Sequence, residues 1–288
     1  MNVLVTGANG FLGSNVVKIS NNSFNFIGTT KSNLNLYSIN DIDTFLFKNN
    51  IESVIHCAIE GGHRLENDDY DVFYKNILMY ENLMKFKDRY KIFINISSGA
   101  EFDRKNNIDL YKEEELYKNI PTDYYGLSKN IISKLHNQFD RGVNLRIFNC
   151  FYTNERNTRF ISNNIRKYIN KESMIIHQDR YIDFIFLQDF IKVIMYYLNI
   201  PKDLPNDINI TYKEKYKLSD ILNKINNLNN YKSEIIVENE GLTLSYTGDS
   251  NKLEKLNSIG LLHIHTKTKT PILLDLKISD TFSKFFTS

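Results

Sequence analysis

The chain has 288 residues, 42% of them hydrophobic, enough for one large α/β domain or for a domain with a smaller lobe. Lysine and arginine total 36 against 34 for aspartate and glutamate; the net charge of +2 gives no electrostatic footprint for nucleic acid or an anionic membrane surface. No apolar run is long enough to span a bilayer, and Cys57 and Cys150 sit in strand-like runs that read as reduced, buried thiols rather than a disulfide framework.

The first residues, Met1-Asn-Val-Leu-Val-Thr-Gly-Ala-Asn-Gly-Phe-Leu-Gly13, organise the rest. Val3, Leu4 and Val5 are a short apolar run of buried-strand type. Gly7, Gly10 and Gly13 follow, and Val16, Val17 and Ile19 then recur at helical spacing. Strand, glycine turn and helix form a site for the pyrophosphate of a dinucleotide: glycines let backbone approach the phosphates, and a helix N-terminus offers N–H groups. Because this strand begins at once, no room is left for a signal peptide, and a soluble cytoplasmic protein is expected.

Ser23 to Thr30 reads as the second strand, whose end faces the adenosine ribose in such a unit. An acid there would favour NAD; this chain has Thr29, Thr30 and Lys31, a set that suits a 2′-phosphate and hence NADP(H). The plainer alternative for Lys31 is a solvated loop lysine. Asp41 to Asn49 reads as a helix and Ser53 to Ala58 as the third strand, with His56 packed inside it. The turn Ile59-Glu-Gly-Gly-His63 follows at a strand's C-terminal end, where open α/β sheets bind ligands. His63 is an acid or base candidate there, or an ordinary surface histidine.

Asp71 to Lys87 is helical, with Phe73, Ile77, Tyr80, Leu83, Met84 and Lys87 forming a packing stripe. Lys91 to Ile96 is the fourth strand, ending in Ser97-Ser98-Gly99. Residues 101–122 read as a surface loop, and Lys112-Glu-Glu-Glu115 as a solvated face. Tyr124 to Phe139 returns to helix and Val143 to Cys150 to strand. Beyond them, helices are expected at Asn157 to Asn170, Leu187 to Asn199, Leu218 to Leu228 and Leu274 to Phe286. Extended pieces are expected at Met174 to His177, Tyr181 to Phe186, Ile208 to Thr211 and Glu234 to Val237, with Pro201 and Pro205 as breaks. Regular alternation in the first half argues for a parallel sheet. The expected fold is α/β: a Rossmann-type doubly wound parallel sheet over 1–155, with 181–200 returning to it. Residues 156–288 mostly form a smaller C-terminal α/β lobe for substrate.

Tyr125-Gly-Leu-Ser-Lys129 puts a phenol and an ammonium on one helix face, and it is the one Tyr-x-x-x-Lys of the chain. A cation beside a phenol favours phenolate and should lower its pKa. Such a pair can exchange a proton with a carbonyl or alcohol. It opens the helix after the fourth strand, whose end carries Ser97 and Ser98, hydroxyls able to polarise the same carbonyl.

Thr6-Gly-Ala-Asn-Gly-Phe-Leu-Gly13, Ser98 and Tyr125…Lys129 together resemble the extended short-chain dehydrogenase/reductases that act on nucleotide sugars, over Met1 to about Asp189. The resemblance implies Tyr125 as acid–base, Lys129 on the nicotinamide ribose and Ser98 on the carbonyl. Ser98 is preferred to Ser97 because an aromatic follows the family's hydroxyl residue by four, as Phe102 does here. It also implies a dinucleotide held by Gly7, Asn9, Gly10, Phe11, Leu12, Thr29, Thr30, Lys31, Leu36, Cys57, Ala58, Ile59, Tyr125, Lys129 and Phe148. Substrate is expected at Ser98, Tyr125, Asn149, Arg159 and Arg180, no metal is assigned, and the family often dimerises by packing helices near 71–87 and 123–139 into a bundle.

Within the family, the link Lys31-Ser-Asn-Leu-Asn-Leu36 and the turn Ala58-Ile-Glu-Gly-Gly62 resemble the GDP-fucose synthase-like 4-keto reductases. That branch has a cysteine two residues past the serine and a later histidine for epimerisation; the matching positions here are Ala100 and Arg159. Alanine moves no proton and arginine stays charged. Two further departures are Asn149-Cys-Phe-Tyr-Thr153 in place of Asn-x-Tyr-Gly-Pro, and Ile182 where an arginine usually precedes Asp-Phe, with Arg180 two residues earlier. The resemblance therefore implies an NADPH-dependent C4 reductase of a nucleoside-diphosphate 4-keto-6-deoxy sugar, GDP-linked hexose or heptose. The alternatives are a 4-epimerase or 4,6-dehydratase that retains NAD, and a non-catalytic dinucleotide-binding subunit.

Overall fold

The computed structural model describes residues 1–62, 68–199, 205–258, 278–279 and 281–283. His63, Pro201 and most of the helix expected at 274–286 lie outside the described residues. The chain divides into two compact units: 1–106 with 113–147 and 193–209, and 107–112 with 148–192 and 210–288. The expected first boundary is 155 and the expected returning segment 181–200; the compact units divide after Ile147, and 193–209 belongs with the first.

In the first unit, β1 (Asn2–Thr6), β2 (Asn25–Thr29), β3 (Ser53–His56) and β4 (Ile92–Ser98) pair in parallel. Later strands, β5 (Ile108–Tyr111), β6 (Gly142–Ile147), β7 (Cys150–Phe151), β8 (Met174–Asp179), β9 (Tyr181–Ile182), β10 (Ile185–Phe186) and β11 (Asp207–Ile210), follow in the chain. The sheet of the first unit has the order β11-β6-β4-β3-β1-β2. β3 is buried throughout and β4 along all but its last residue, the near-continuous apolar character that a sheet covered on both faces demands.

Helices α1 (Phe11–Val17), α2 (Ile39–Lys48), α3 (Tyr70–Met84) and α4 (Tyr124–His136) flank this sheet. Each of the last three opens on a side-chain cap: Ser38 to Asp41 N, Asp69 to Val72 N and Asp123 to Gly126 N. Tyr80 and Leu83 of the expected stripe are buried beside Met79 in a core with Leu4, Ile42, Leu46, Val54 and Phe93, and Ile77 and Met84 pack against it. The stripe is thus packing, while Lys87 is exposed and begins a 3-10 turn, Lys87–Arg89.

The second unit holds a four-stranded sheet, β12-β9-β14-β5, with β12 (Tyr216–Lys217) and β14 (Tyr246–Gly248). A separate parallel pair joins β8 to β13 (Ile235–Leu242), and β10 pairs with β7. Helices α5 (Phe160–Ile169), α7 (Leu218–Asn226) and α8 (Asn251–Ser258) also belong to it, while α6 (Leu187–Leu198) contains the division between units. Asp183 is the polar anchor: it accepts from Lys215 Nζ at 2.9 Å and Gly248 N at 2.7 Å.

Four expectations are corrected. Residues 101–122 are not a plain surface loop: they contain β5 and the 3-10 turn Glu113–Tyr117, and open in the 3-10 turn Gly99–Phe102. The charge run is not wholly solvated, because Glu113 is buried and accepts from Asn209 N at 2.8 Å. The strand expected over 143–150 splits, with β6 ending at Ile147 and β7 starting at Cys150. Tyr181 to Phe186 also splits, since β9 and β10 belong to different sheets and Asp183 turns inward between them.

Candidate active site

The strand order runs β2-β1-β3, so the connections leave β1 in opposite directions on its two sides. Such a switch point opens a crevice at the strands' C-terminal ends. Thr6 and His56 stand at those ends. Thr6 Oγ1 accepts from Cys57 N at 3.1 Å and Ala58 N at 3.0 Å. Its one hydrogen is left for His56 Nδ1, 2.9 Å away, which makes that nitrogen the acceptor. Burial, with Lys129 and His136 adding to it, lowers the His56 pKa to about 3, so the ring is neutral.

Gly7 follows with φ +66°, and a Cβ there would lie 2.8 Å from Ala58 N and Cα. A Cβ on Gly13 would fall on the Gly7 carbonyl. Gly10 precedes α1 without a side-chain cap, and the helix's first turn has no acid. Glycine at 7 and 13 lets the turn pack directly against the Ala58 backbone and against the start of α1, and the uncapped, acid-free first turn of that helix fits a pyrophosphate. Beside it lies a cavity of about 140 Å³ lined by Gly7, Asn9, Thr29, Thr30, Lys31, Leu36, Ala58 and Ile59 of the expected cofactor residues. Leu34, Asn35, Tyr37, Glu60 and Met79 line it too. Gly10, Phe11 and Leu12 enter α1, and Cys57 precedes Ala58. Burial raises the Cys57 thiol to about 12 against the pull of Lys129, so it is not a thiolate.

Asn76 of α3 binds the Glu60 backbone on both sides, at 2.8 and 3.1 Å, and donates to Ser128 Oγ of α4 at 3.1 Å. The loop after β3 is thereby tied to the helix that carries Tyr125 and Lys129. Gly62, at φ +76°, lies so close to the Tyr125 ring that a Cβ would sit 2.7 Å from Cε2. Lys129 is buried and its Nζ donates to Ile96 O at 2.7 Å. Burial lowers its pKa to about 8, opposed by Glu101 and Cys57. Ser98 ends β4 and its Oγ accepts from Ala100 N at 3.2 Å. The Ser98 hydroxyl also hydrogen-bonds the Tyr125 hydroxyl.

The expected lowering of the phenol's pKa is corrected. Burial raises the Tyr125 pKa, and the Ser98 hydrogen bond and Arg104, 5.7 Å from the ring centroid, only partly offset it. Lys129 is aimed at a backbone carbonyl instead, so the phenol is held as the neutral acid.

Phe148, Asn149, Arg159 and Arg180 belong to the second unit. Asn149 is buried, donates to Asp183 O at 2.9 Å and accepts from Arg159 Nη2 at 3.4 Å. Arg159 also approaches Glu155 at 3.8 Å. Burial pushes the Glu155 carboxyl to about 8. Phe148 packs edge-on to Tyr246 at 5.1 Å. Arg180 precedes β9, partly buried, and burial lowers its pKa.

Residues 3–211 match the NAD dependent epimerase/dehydratase family. The chain belongs to this family. A comparison with curated protein sequences finds no match. Among solved structures, the chain is similar to the UDP-N-acetylglucosamine 4-epimerase of Bacillus cereus, with TM-score 0.79, 21% identity and 99% of each chain covered. It is similar to the GDP-mannoheptose C4 reductase of Campylobacter jejuni with NADP bound, with TM-score 0.78, 19% identity and 98% of each chain covered. A GDP-L-fucose synthetase of Naegleria fowleri gives TM-score 0.78 and 15% identity, covering 100% of this chain and 93% of the other. At identities this low, these TM-scores show the shared fold alone.

One part of this epimerase/dehydratase-family chain escaped the sequence reading. Arg146, in β6, is fully buried and its Nε donates to Glu101, with Nη2 on Asp207 Oδ1 at 2.9 Å and Nη1 on Asn209 Oδ1 at 3.0 Å. Glu101 also accepts from Ser97 Oγ and from Ser133 Oγ, the latter at 2.6 Å. An arginine inside the apolar run Val143 to Phe148 was the available signal, since such a group stays buried only when paired.

Proposed function

We propose that this family member is an NADPH-dependent C4 reductase of a nucleoside-diphosphate 4-keto-6-deoxy sugar, a GDP-linked hexose or heptose. The observation that carries this reading is the Ser98–Tyr125 hydroxyl pair at the end of β4, with Ala100 two residues on. A proton donor for a carbonyl oxygen is present, and the neighbouring position has no group able to move a proton on carbon. Two of the structural neighbours named above act on GDP-sugars by their names, and one has NADP bound, which supports the reading.

When bound, the nicotinamide would supply hydride to C4. Ser98 donates to the carbonyl oxygen and holds it beside the phenol. Tyr125, kept neutral by burial, delivers its proton to that oxygen as charge develops. Lys129, one helical turn past Tyr125 on α4, is the candidate for the nicotinamide ribose. Asn149, Arg159 and Arg180 are proposed substrate contacts, with an arginine fork suited to the diphosphate. A homodimer through α3 and α4 is proposed as well. The exposed Tyr70 and Tyr74, with Tyr124 edge-on to Tyr70 at 6.1 Å, give those helices aromatic surface for it. Light scattering would read the dimer as twice the chain mass.

The second reading, a 4-epimerase that retains its cofactor, is favoured by the likeness to the Bacillus cereus enzyme. Incubation with NADPH and separate GDP-, UDP-, dTDP- and CDP-linked 4-keto sugars tests both. Oxidation of NADPH with the GDP-linked ketone supports the reductase; sugar isomerisation without it supports the epimerase.

A further inference from the structure

The cavity beside Gly7 carries a carboxylate that the family resemblance does not assign. Glu60 lines it from the loop after β3, opposite Thr29, Thr30 and Lys31 from the end of β2. Lys31 Nζ lies 2.5 Å from Glu60 Oε1, and Tyr37 donates its hydroxyl to the same oxygen at 2.8 Å. The Glu60 side chain is 23% exposed, whereas that of Lys31 is 76% exposed. The carboxylate is therefore the fixed member of the pair, and the ammonium the movable one. Burial pushes the Glu60 pKa up, but the hydrogen bonds from Lys31 and Tyr37 outweigh it, so the group is ionised.

The charge count around this corner decides what it favours. Among the described residues, the other charges that act on Glu60 or Tyr37 are Lys75 and Asp71, which pair with each other at 2.6 Å. Lys31 and Glu60 cancel in the same way. A dinucleotide's 2′-phosphate would thus meet a cation already held by an acid. A 2′-hydroxyl would meet a carboxylate able to accept from it. In most dinucleotide folds that acid stands at the end of the second strand; here it comes from the loop after the third.

Resting on the reading of this cavity as the adenosine end of a dinucleotide site, we propose that Glu60 sets cofactor preference by restraining Lys31. It keeps the preference for NADP(H) over NAD(H) small, and the site accepts both.

Titration of the purified protein with NADP+ and with NAD+, followed by calorimetry, tests this without substrate. Wild type should bind both, with NADP+ the tighter ligand. Glu60→Gln keeps a partner for Tyr37 and releases Lys31. It should raise the ratio of NADP+ to NAD+ affinity about two- to fivefold, the scale of one exposed ion pair. Lys31→Met should lower the ratio and leave NAD+ affinity near wild type. A wild type that binds while both Glu60→Gln and Glu60→Ala leave the ratio unchanged overturns the role of Glu60 alone. A wild type that binds neither dinucleotide overturns the cofactor reading and this inference with it.

Discussion

Arg146 and Glu101 form an ion pair in which neither side chain has any exposed surface. Glu101 lies three residues beyond Ser98, and its backbone carbonyl accepts from Asn130 Nδ2 at 2.9 Å, one residue past Lys129. The pair therefore joins β6 to both chain segments that carry the proposed proton-transfer groups. Arg146 also lies over the Phe102 ring at 4.8 Å, so the turn Gly99–Phe102 is held by charge and by packing. Removing Arg146 leaves Glu101 buried without a countercharge, at a cost of about 3–5 kcal/mol, whereas removing Glu101 leaves Arg146 paired with Asp207 at 2.9 Å and should cost less. Glu101→Leu or Arg146→Met alone should lower the urea midpoint accordingly, and the double variant should recover more than half of the loss. A double variant as damaged as the sum of the singles would show that the pair is not the unit of stability.

Tyr125→Phe keeps the ring under Gly62 and removes the proton. Turnover should fall by roughly 10²- to 10⁴-fold with dinucleotide affinity nearly unchanged. Undiminished turnover removes Tyr125 from the chemistry.

The two glycines at φ +66° and φ +76° should separate binding from catalysis. Gly7→Ala drives a Cβ into the Ala58 backbone and should abolish dinucleotide binding. Gly62→Ala pushes on the Tyr125 ring instead. It should lower kcat by tenfold or more while dinucleotide affinity changes by about threefold or less; the added strain is of order 1 kcal/mol. Equal losses of binding in the two variants would contradict this division.

Acid should weaken the protein through His56 and His136, whose pKa values burial lowers to about 3 and about 4. Both groups take up protons more readily when unfolded, where the reference pKa is about 6.5. Their contribution to stability is therefore complete above about pH 6.5 and is lost as pH falls toward their folded values, by a few kcal/mol. Urea midpoints at pH 7, 6, 5 and 4 check the slope. His56→Gln and His136→Gln should each flatten it, and an unchanged slope in both would assign the acid lability elsewhere.

Much of the first unit was legible because local patterns and tertiary demands agree there. Gly7, Gly10 and Gly13 announce a close backbone approach, and apolar β1, β3 and β4 are what a covered parallel sheet requires. The Tyr125–Lys129 spacing placed both residues on α4, but not their surroundings. Distance along a helix says nothing of Ile96 O, which takes the ammonium, or of the burial that raises the phenol's pKa. The network around Arg146 includes contacts as far apart in sequence as Ser97 and Ser133, 36 residues, and Arg146 and Asn209, 63 residues, and no local period encodes it. The second unit was read loosely for a related reason. Its strands β7, β9, β10 and β12 are two residues long and are set by long-range partners such as Asp183 rather than by alternation.

The origin of the hydrogen at C4 tests the central claim most directly. NADPH carrying deuterium at its transferable position is incubated with the GDP-linked 4-keto-6-deoxy sugar, and the product is read by mass spectrometry and proton NMR. The predicted result is one deuterium at C4 for each NADPH oxidised, with Tyr125→Phe nearly inactive. Product that carries no deuterium, formed without loss of NADPH, would contradict the account.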